Sequence, residues 1–163
     1  MTKIKILTFK ITTALLIAFW MLVITGFSAQ PGDDSASLSG AVAAIVVSVE
    51  ENLTGNTLSD VDRQERIDFW QFPVRKAAHF SVYAVLGLLF YLHLLLYPIS
   101  QRKQVLLAWL FTTLFAIIDE THQIFVPGRV GSVVDVLIDS AGGITAIFTA
   151  DTIRSLKLRK VDK

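Results

Sequence analysis

The sequence predicts an all-α fold: four transmembrane helices in one bundle, with an amphipathic helical segment outside the membrane between the first and the second. Three observations predict it. Apolar residues make up 53% of the 163 and mean hydropathy is +0.57, too apolar for a soluble domain of this size. Four stretches are long enough to cross about 30 Å of hydrocarbon. Lysines and arginines crowd the two ends and one short turn, which a four-span topology puts on the same side.

The first span, about residues 7–27, follows Lys3, Lys5 and Lys10 and carries no charge from Ile11 to Phe27. A cleaved leader would look similar. However, a cut after Ala29 would leave bulky Phe27 where a small residue is needed, so a retained helix is expected. Ser28, Gln30, Pro31, Gly32, Asp33 and Asp34 then break the helix. From Leu38 onwards, Val42, Ile45, Val46, Val49 and Leu53 recur at helical spacing, the pattern of a helix lying on a bilayer surface or packed as a lid. Gly55-Asn56 is a turn, and Asp60 is placed to cap a short helix to Trp70. Phe69, Trp70 and Phe72 read as an interfacial aromatic belt. The second span is residues 77–97, and Pro98 to Lys103 is a basic turn. The third span is 104–124, Pro127-Gly128 turns the chain, and the fourth span is 133–152.

With both ends in the cytoplasm, the inner side holds Lys3, Lys5, Lys10, Arg102, Lys103, Arg154, Lys157, Arg159, Lys160 and Lys163. The outer side holds Arg63, Arg66, Arg75, Lys76 and Arg129, with eight acids in the segment 28–76. Ten against five fits a multi-pass membrane protein with both ends in the cytoplasm. Cysteine is absent, which excludes disulfides and thiolate chemistry. Nucleotide loops and nucleic-acid motifs are absent too. The expected partners are the lipid bilayer and a lipid-linked envelope precursor, with no nucleic acid.

Within this topology the polar residues of the spans fall in one leaflet. Arg75, Lys76, His79 and Tyr83 open the second span; Asp119, Glu120, His122 and Gln123 close the third; Arg129 sits in the turn; Asp135 and Asp139 open the fourth. At helical spacing Lys76, His79 and Tyr83 share a face, as do Asp119, His122 and Gln123. Gly87 and Gly142 continue the Tyr83 and Asp139 faces inward, where small residues let helices approach. Charges inside a membrane cost about 2.5–3.5 kcal/mol each on insertion scales, so two adjacent acids need a use. That use is either a buried ion pair holding the helices together or a working site. His93, alone towards the inner side, reads as structural. His79, His122, Asp119, Glu120 and Asp135 are usable metal-ligand types. Their spacing carries no HExxH-type motif, so no metal or cofactor is assigned.

The blocks "FSAQPGDDS", "VRKAAHFSVYAVLGLL", "DETHQIFVPGR" and "VVDVLIDSAGG" resemble, in order and spacing, the VanZ-like family of bacterial membrane proteins, from about Phe27 to Gly143. The resemblance implies a small four-helix membrane protein of the cell envelope, in a family whose founding member is associated with resistance to teicoplanin. The family pattern falls on the outer polar residues. Two functions follow as expectations. As an envelope enzyme, Asp119 or Glu120 would be the base and His79 or His122 the proton shuttle. Arg75, Lys76 and Arg129 would clamp a phosphate, with Tyr83, Gln123, Asp135 and Asp139 also contacting substrate. As a non-catalytic binder, the same cup would hold an anionic lipid, a cell-wall precursor or the antibiotic. Either way, the polar residues of separate spans must meet in one pocket.

Overall fold

A computed structural model describes residues 3–161; Lys163, counted in the basic tail, lies outside them. The chain forms five helices: α1 Lys3–Ser28, α2 Gly32–Thr54, α3 Asp60–Leu94, α4 Gln101–Gln123 and α5 Val133–Val161. No strand occurs among the described residues. All five are long and apolar enough to cross a membrane, one more than the four expected. The fifth is α2, the segment predicted to lie on the surface.

Local chemistry sets the helix ends. Only Ala29 to Pro31 interrupt the chain between α1 and α2, a shorter break than the sequence suggests. Pro31 fits immediately before the α2 first turn because its missing N–H is not needed there. Asp33 and Asp34 in that turn favour the positive end of the helix dipole. Gly55 ends α2 in the left-handed conformation (φ 69°), its N–H donating to the Glu51 carbonyl. Ser59, rather than Asp60, caps α3: its Oγ accepts the Asp62 N–H at 3.2 Å. The expected short helix to Trp70 does not end there. It continues through Pro73 into the second span as one helix of 35 residues.

At about 1.5 Å per residue α3 is about 52 Å long, far more than about 30 Å of hydrocarbon. It is the hub, touching all four other helices. Its second half packs in a bundle with α1, α4 and α5. Its first half pairs antiparallel with α2, forming a hairpin arm that extends from one end of the bundle. Arg66 and Trp70 bind Glu50, and Arg63 reaches Glu51 at 3.3 Å. These are exposed pairs of small energetic worth. The buried residues of α2 are the small Ala43 and Val47. Of the predicted apolar stripe, Leu38, Val42, Ile45, Val49 and Leu53 are exposed, as a surface-lying helix requires, and Val46 is half-buried.

The bundle is apolar outside and mixed inside. Ile17, Ile24, Tyr83, Leu86, Phe115 and Ala116 form its upper core, and Tyr91, Leu94, Ala108 and Ile147 its lower one. Leu110, Ile117, Ile118, Leu137 and Phe148 face outward. His93, expected to be structural, has its Nδ1 2.7 Å from Thr13 Oγ1 across the α1–α3 contact. Helix α3 packs most extensively on α5, through glycines. A Cβ on Gly142 would lie 2.1 Å from the Phe80 carbonyl oxygen, and one on Gly87 2.8 Å from Gly143 Cα.

Gly142→Leu should therefore drive α3 and α5 apart and cost at least about 1–3 kcal/mol, the usual penalty of overpacking. Gly26→Leu, where a Cβ meets nothing within 4 Å, should leave stability unchanged. Thermal unfolding of the purified protein in detergent checks both.

Candidate functional site

The polar cluster lies where α1 and α4 end, α5 begins and the arm leaves the bundle. It is built from the turn between α4 and α5. Pro127 and Gly128 form the centre of a tight turn in which Gly128 takes φ 72° and the Arg129 N–H donates to the Val126 carbonyl at 3.1 Å. This turn receives α2: the Gly32 N–H donates to the Pro127 carbonyl at 3.1 Å. A Cβ on Gly32 would sit 2.1 Å from the Gly128 carbonyl oxygen. The turn also aims Arg129 at the end of α1. Its Nε donates to the Gln30 carbonyl and its Nη2 to the Phe27 carbonyl, both at 3.1 Å. Carbonyls at a helix end have no partner within the helix, and a guanidinium supplies one.

Beneath Arg129, Ser28 Oγ donates to Asp119 Oδ2 at 2.8 Å, and Gln123 Nε2 donates to Ser28 Oγ at 2.8 Å and to Glu120 Oε1 at 3.2 Å. The other Glu120 oxygen accepts the Ser132 N–H at 2.8 Å, fastening the end of α4 to the start of α5. Across the bundle, Lys76 of α3 forms an ion pair with Asp135 of α5. One turn deeper, His79 Nδ1 lies 3.3 Å from Asp139 Oδ1. That contact is close but not aligned as a hydrogen bond, and both oxygens of Asp139, which is fully buried, lack a partner. The buried Tyr83 hydroxyl and Arg75 Nε also lack one. Burial lowers the pKa of Arg129, as does neighbouring Arg75, while Asp119 and Glu120 work the other way.

Part of this cluster lines a cavity of about 260 Å³ between the end of α1, the start of α2 and the middle of α3. Its polar lining is Ser28, Gln30, Ser35, Ser39, Arg75, His79, Tyr83, Asp119, Gln123 and Arg129; Ile24, Phe27, Leu38, Val42, Val74, Ala78 and Val82 make the rest. A larger, more open groove of about 600 Å³ lies at the tip of the arm, but its Glu50 and Arg66 are spent on each other.

Of the eleven residues singled out from the sequence, six line the cavity: Arg75, His79, Tyr83, Asp119, Gln123 and Arg129; Lys76, Glu120, Asp135 and Asp139 belong to the polar cluster beside it. His122 is in neither. Its neighbours Glu120 and Gln123 are buried while it is exposed, because the inward face of α4 runs through 116, 119, 120 and 123. Lys76 and Arg129 are less free than a phosphate clamp requires, being held by Asp135 and by main-chain carbonyls. Ser28 and Ser132 were not singled out. Ser28 lies within the first block of resemblance, so a signal existed. A serine's role as donor to a carboxylate 91 positions away has no local signature.

Lys76→Met should leave Asp135 buried and unpaired, costing about 3–5 kcal/mol, whereas pairing it with Asp135→Leu should recover most of the loss. A double-mutant cycle by unfolding in detergent measures the coupling. Among known families, the one described as VanZ/LLP1 matches residues 13–154. No curated protein and no solved structure matches the chain.

Proposed function

The chain belongs to the VanZ/LLP1 family, and from that premise we propose that it receives the anionic headgroup of a lipid-linked envelope molecule in the cavity beside His79 and performs acid–base work on it. The observation that carries this reading is Arg75. Its buried Nε has no partner, and it lines a cavity whose remaining walls are largely apolar. A cation over an apolar-walled cavity suits an amphiphile, with phosphate on the guanidinium and hydrocarbon along Phe27, Leu38 and Val42.

Asp119 is the base in this reading, because its carboxylate lines the cavity, whereas Glu120 is committed to the α4–α5 junction. His79, backed by Asp139, relays the proton. Tyr83 offers its hydroxyl to the bound headgroup. Lys76 and Arg129 add positive field rather than direct contacts. The bundle belongs to the bacterial cytoplasmic membrane with both ends inside, so that the cavity opens to the exterior. The arm then lies on the outer surface, its exposed stripe against lipid. The network joining Ser28, Asp119 and Gln123 is already internally satisfied, and this favours a second reading in which the headgroup is held without reaction.

Turnover separates the two. A strain lacking the protein is complemented with wild type, Asp119→Ala, Glu120→Ala or Arg75→Ala, and its lipid and cell-wall precursors are profiled. Wild type should restore one lipid-linked species, and Asp119→Ala and Arg75→Ala should fail. His79→Ala should slow conversion by about 10²–10⁴-fold. Restoration by both acid variants ends the catalytic reading, and a candidate lipid recovered unchanged from active protein favours the binder. Teicoplanin susceptibility should follow the same order among the variants. Reporter fusions should place residues 28–76 outside and both ends inside.

A further inference from the structure

Asp139 is the most demanding group in the molecule. It is fully buried, neither oxygen has a hydrogen-bond partner, and the nearest charged group is an imidazole that is not aligned with it. The neighbouring charges do not answer for it. Lys76 is paired with Asp135, and Arg129 is spent on the carbonyls of Phe27 and Gln30 and on Gln123. Asp119 has Ser28 and Gln123, and Glu120 has Ser132 and Gln123. Two carboxylates, Glu120 and Asp139, are left facing one imidazole. A buried carboxylate without a counter-charge costs several kcal/mol. Protonating Asp139 would remove the charge, yet its O–H would still need an acceptor.

A divalent cation meets both demands, since two carboxylates cancel its charge and its coordination occupies the empty lone pairs. One ligand atom each from His79 of α3, Glu120 of α4 and Asp139 of α5 lie within 4.8 Å of one another. Atoms bound at about 2.1 Å to one tetrahedral ion lie about 3.4 Å from one another, so closing the site takes up to about 1.4 Å of movement between them. Glu120 can join without giving up its hydrogen bonds, because each carboxylate oxygen has a second lone pair. The Tyr83 hydroxyl, also buried and unpartnered in this part of the bundle, is available as the second-sphere donor that such carboxylates usually have.

We propose that His79, Glu120 and Asp139 form a binding site for a divalent metal ion, of the zinc or manganese type, inside the bundle beside the cavity. The mixed nitrogen and oxygen set without sulfur suits those ions better than copper(I). One imidazole among the ligands is less suited to magnesium or calcium, which prefer an all-oxygen shell. Three protein ligands leave coordination positions open, the arrangement of metals that do chemistry rather than hold a fold together. This rests on reading the cluster as a working site, but not on a lipid being its substrate; with the ion bound, His79 and Asp139 hold the metal instead of relaying a proton, and Asp119 keeps the base role.

The protein is purified in detergent on a tag without histidine, treated with EDTA, dialysed against zinc or manganese, and its metal content measured by mass spectrometry. About one equivalent per chain is expected in wild type. His79→Ala, Asp139→Asn and Glu120→Gln should lower affinity about tenfold or more. Asp151→Asn, at the far end of the bundle, should retain it. The thermal midpoint of wild type should fall with EDTA and return with the metal, a reading that survives even if a variant fails to fold. Wild type that neither retains the metal nor shifts its midpoint on adding zinc or manganese overturns the proposal. Equal metal content in wild type, His79→Ala and Asp139→Asn also overturns it. Arg75→Ala separates the two ideas: it should keep the metal while losing the lipid species. A metal-free wild type that still restores that species removes the ion alone.

Discussion

The site depends on how the end of α1 is held. A helix end in or near a membrane leaves carbonyls that water cannot reach, and here Arg129 takes two carbonyls at that end from the opposite side of the bundle. The same turn that delivers Arg129 also accepts the first N–H of α2. One tight loop thus fixes the close of α1, the opening of α2 and the junction of α4 with α5. The cavity exists because these three ends are held apart at a set distance, with Ser28, Asp119 and Gln123 lining the space between them.

Deeper in the bundle, the constraint is close approach. Hydrocarbon gives helices no hydrophobic reason to associate, so contact surface and internal polar bonds must hold them. The glycines between α3 and α5 bring the two backbones together from the level of Phe80 and Gly142, beside His79 and Asp139, down to Gly87 and Gly143. That packing leaves no room for an imidazole and a carboxylate on facing helices to part. The lower end of the bundle has its own polar lock, Tyr91 and Gln101 on Asp151 and Arg154 on Gln104. It ties α3, α4 and α5 together at the opposite end.

Much of this was legible from residue order. The spans announce themselves through hydropathy, and the side-of-membrane argument gathers ten residues of the cluster, nine on α3, α4 and α5 and Arg129 in a turn, without any coordinates. Two things were not legible. The join between the arm and the second span was hidden by Pro73 and by a change of composition near Trp70, both of which look like a helix end. Helix α3 continues because its first half is clasped by α2, a tertiary effect invisible to local propensity. The second was rotation about α4. Asp119, His122 and Gln123 share a face on a helical wheel, but a wheel does not say where that face ends. The inward direction runs between Asp119 and Glu120, and this turns His122 out and Glu120 in. Serine partners were missed because a hydroxyl's role depends on what lies opposite it.

Helix α3 also ties what happens outside to what happens within. Its first turns belong to the arm and its middle carries Arg75, Lys76, His79 and Tyr83, with no loop between. The one weak point in its ladder is Pro73, which lacks an N–H, two residues before Arg75. The arm is therefore a lever with its fulcrum at the mouth of the cavity. Any tilt of it about Pro73 moves Arg75 first and His79 next, because no loop lies between them.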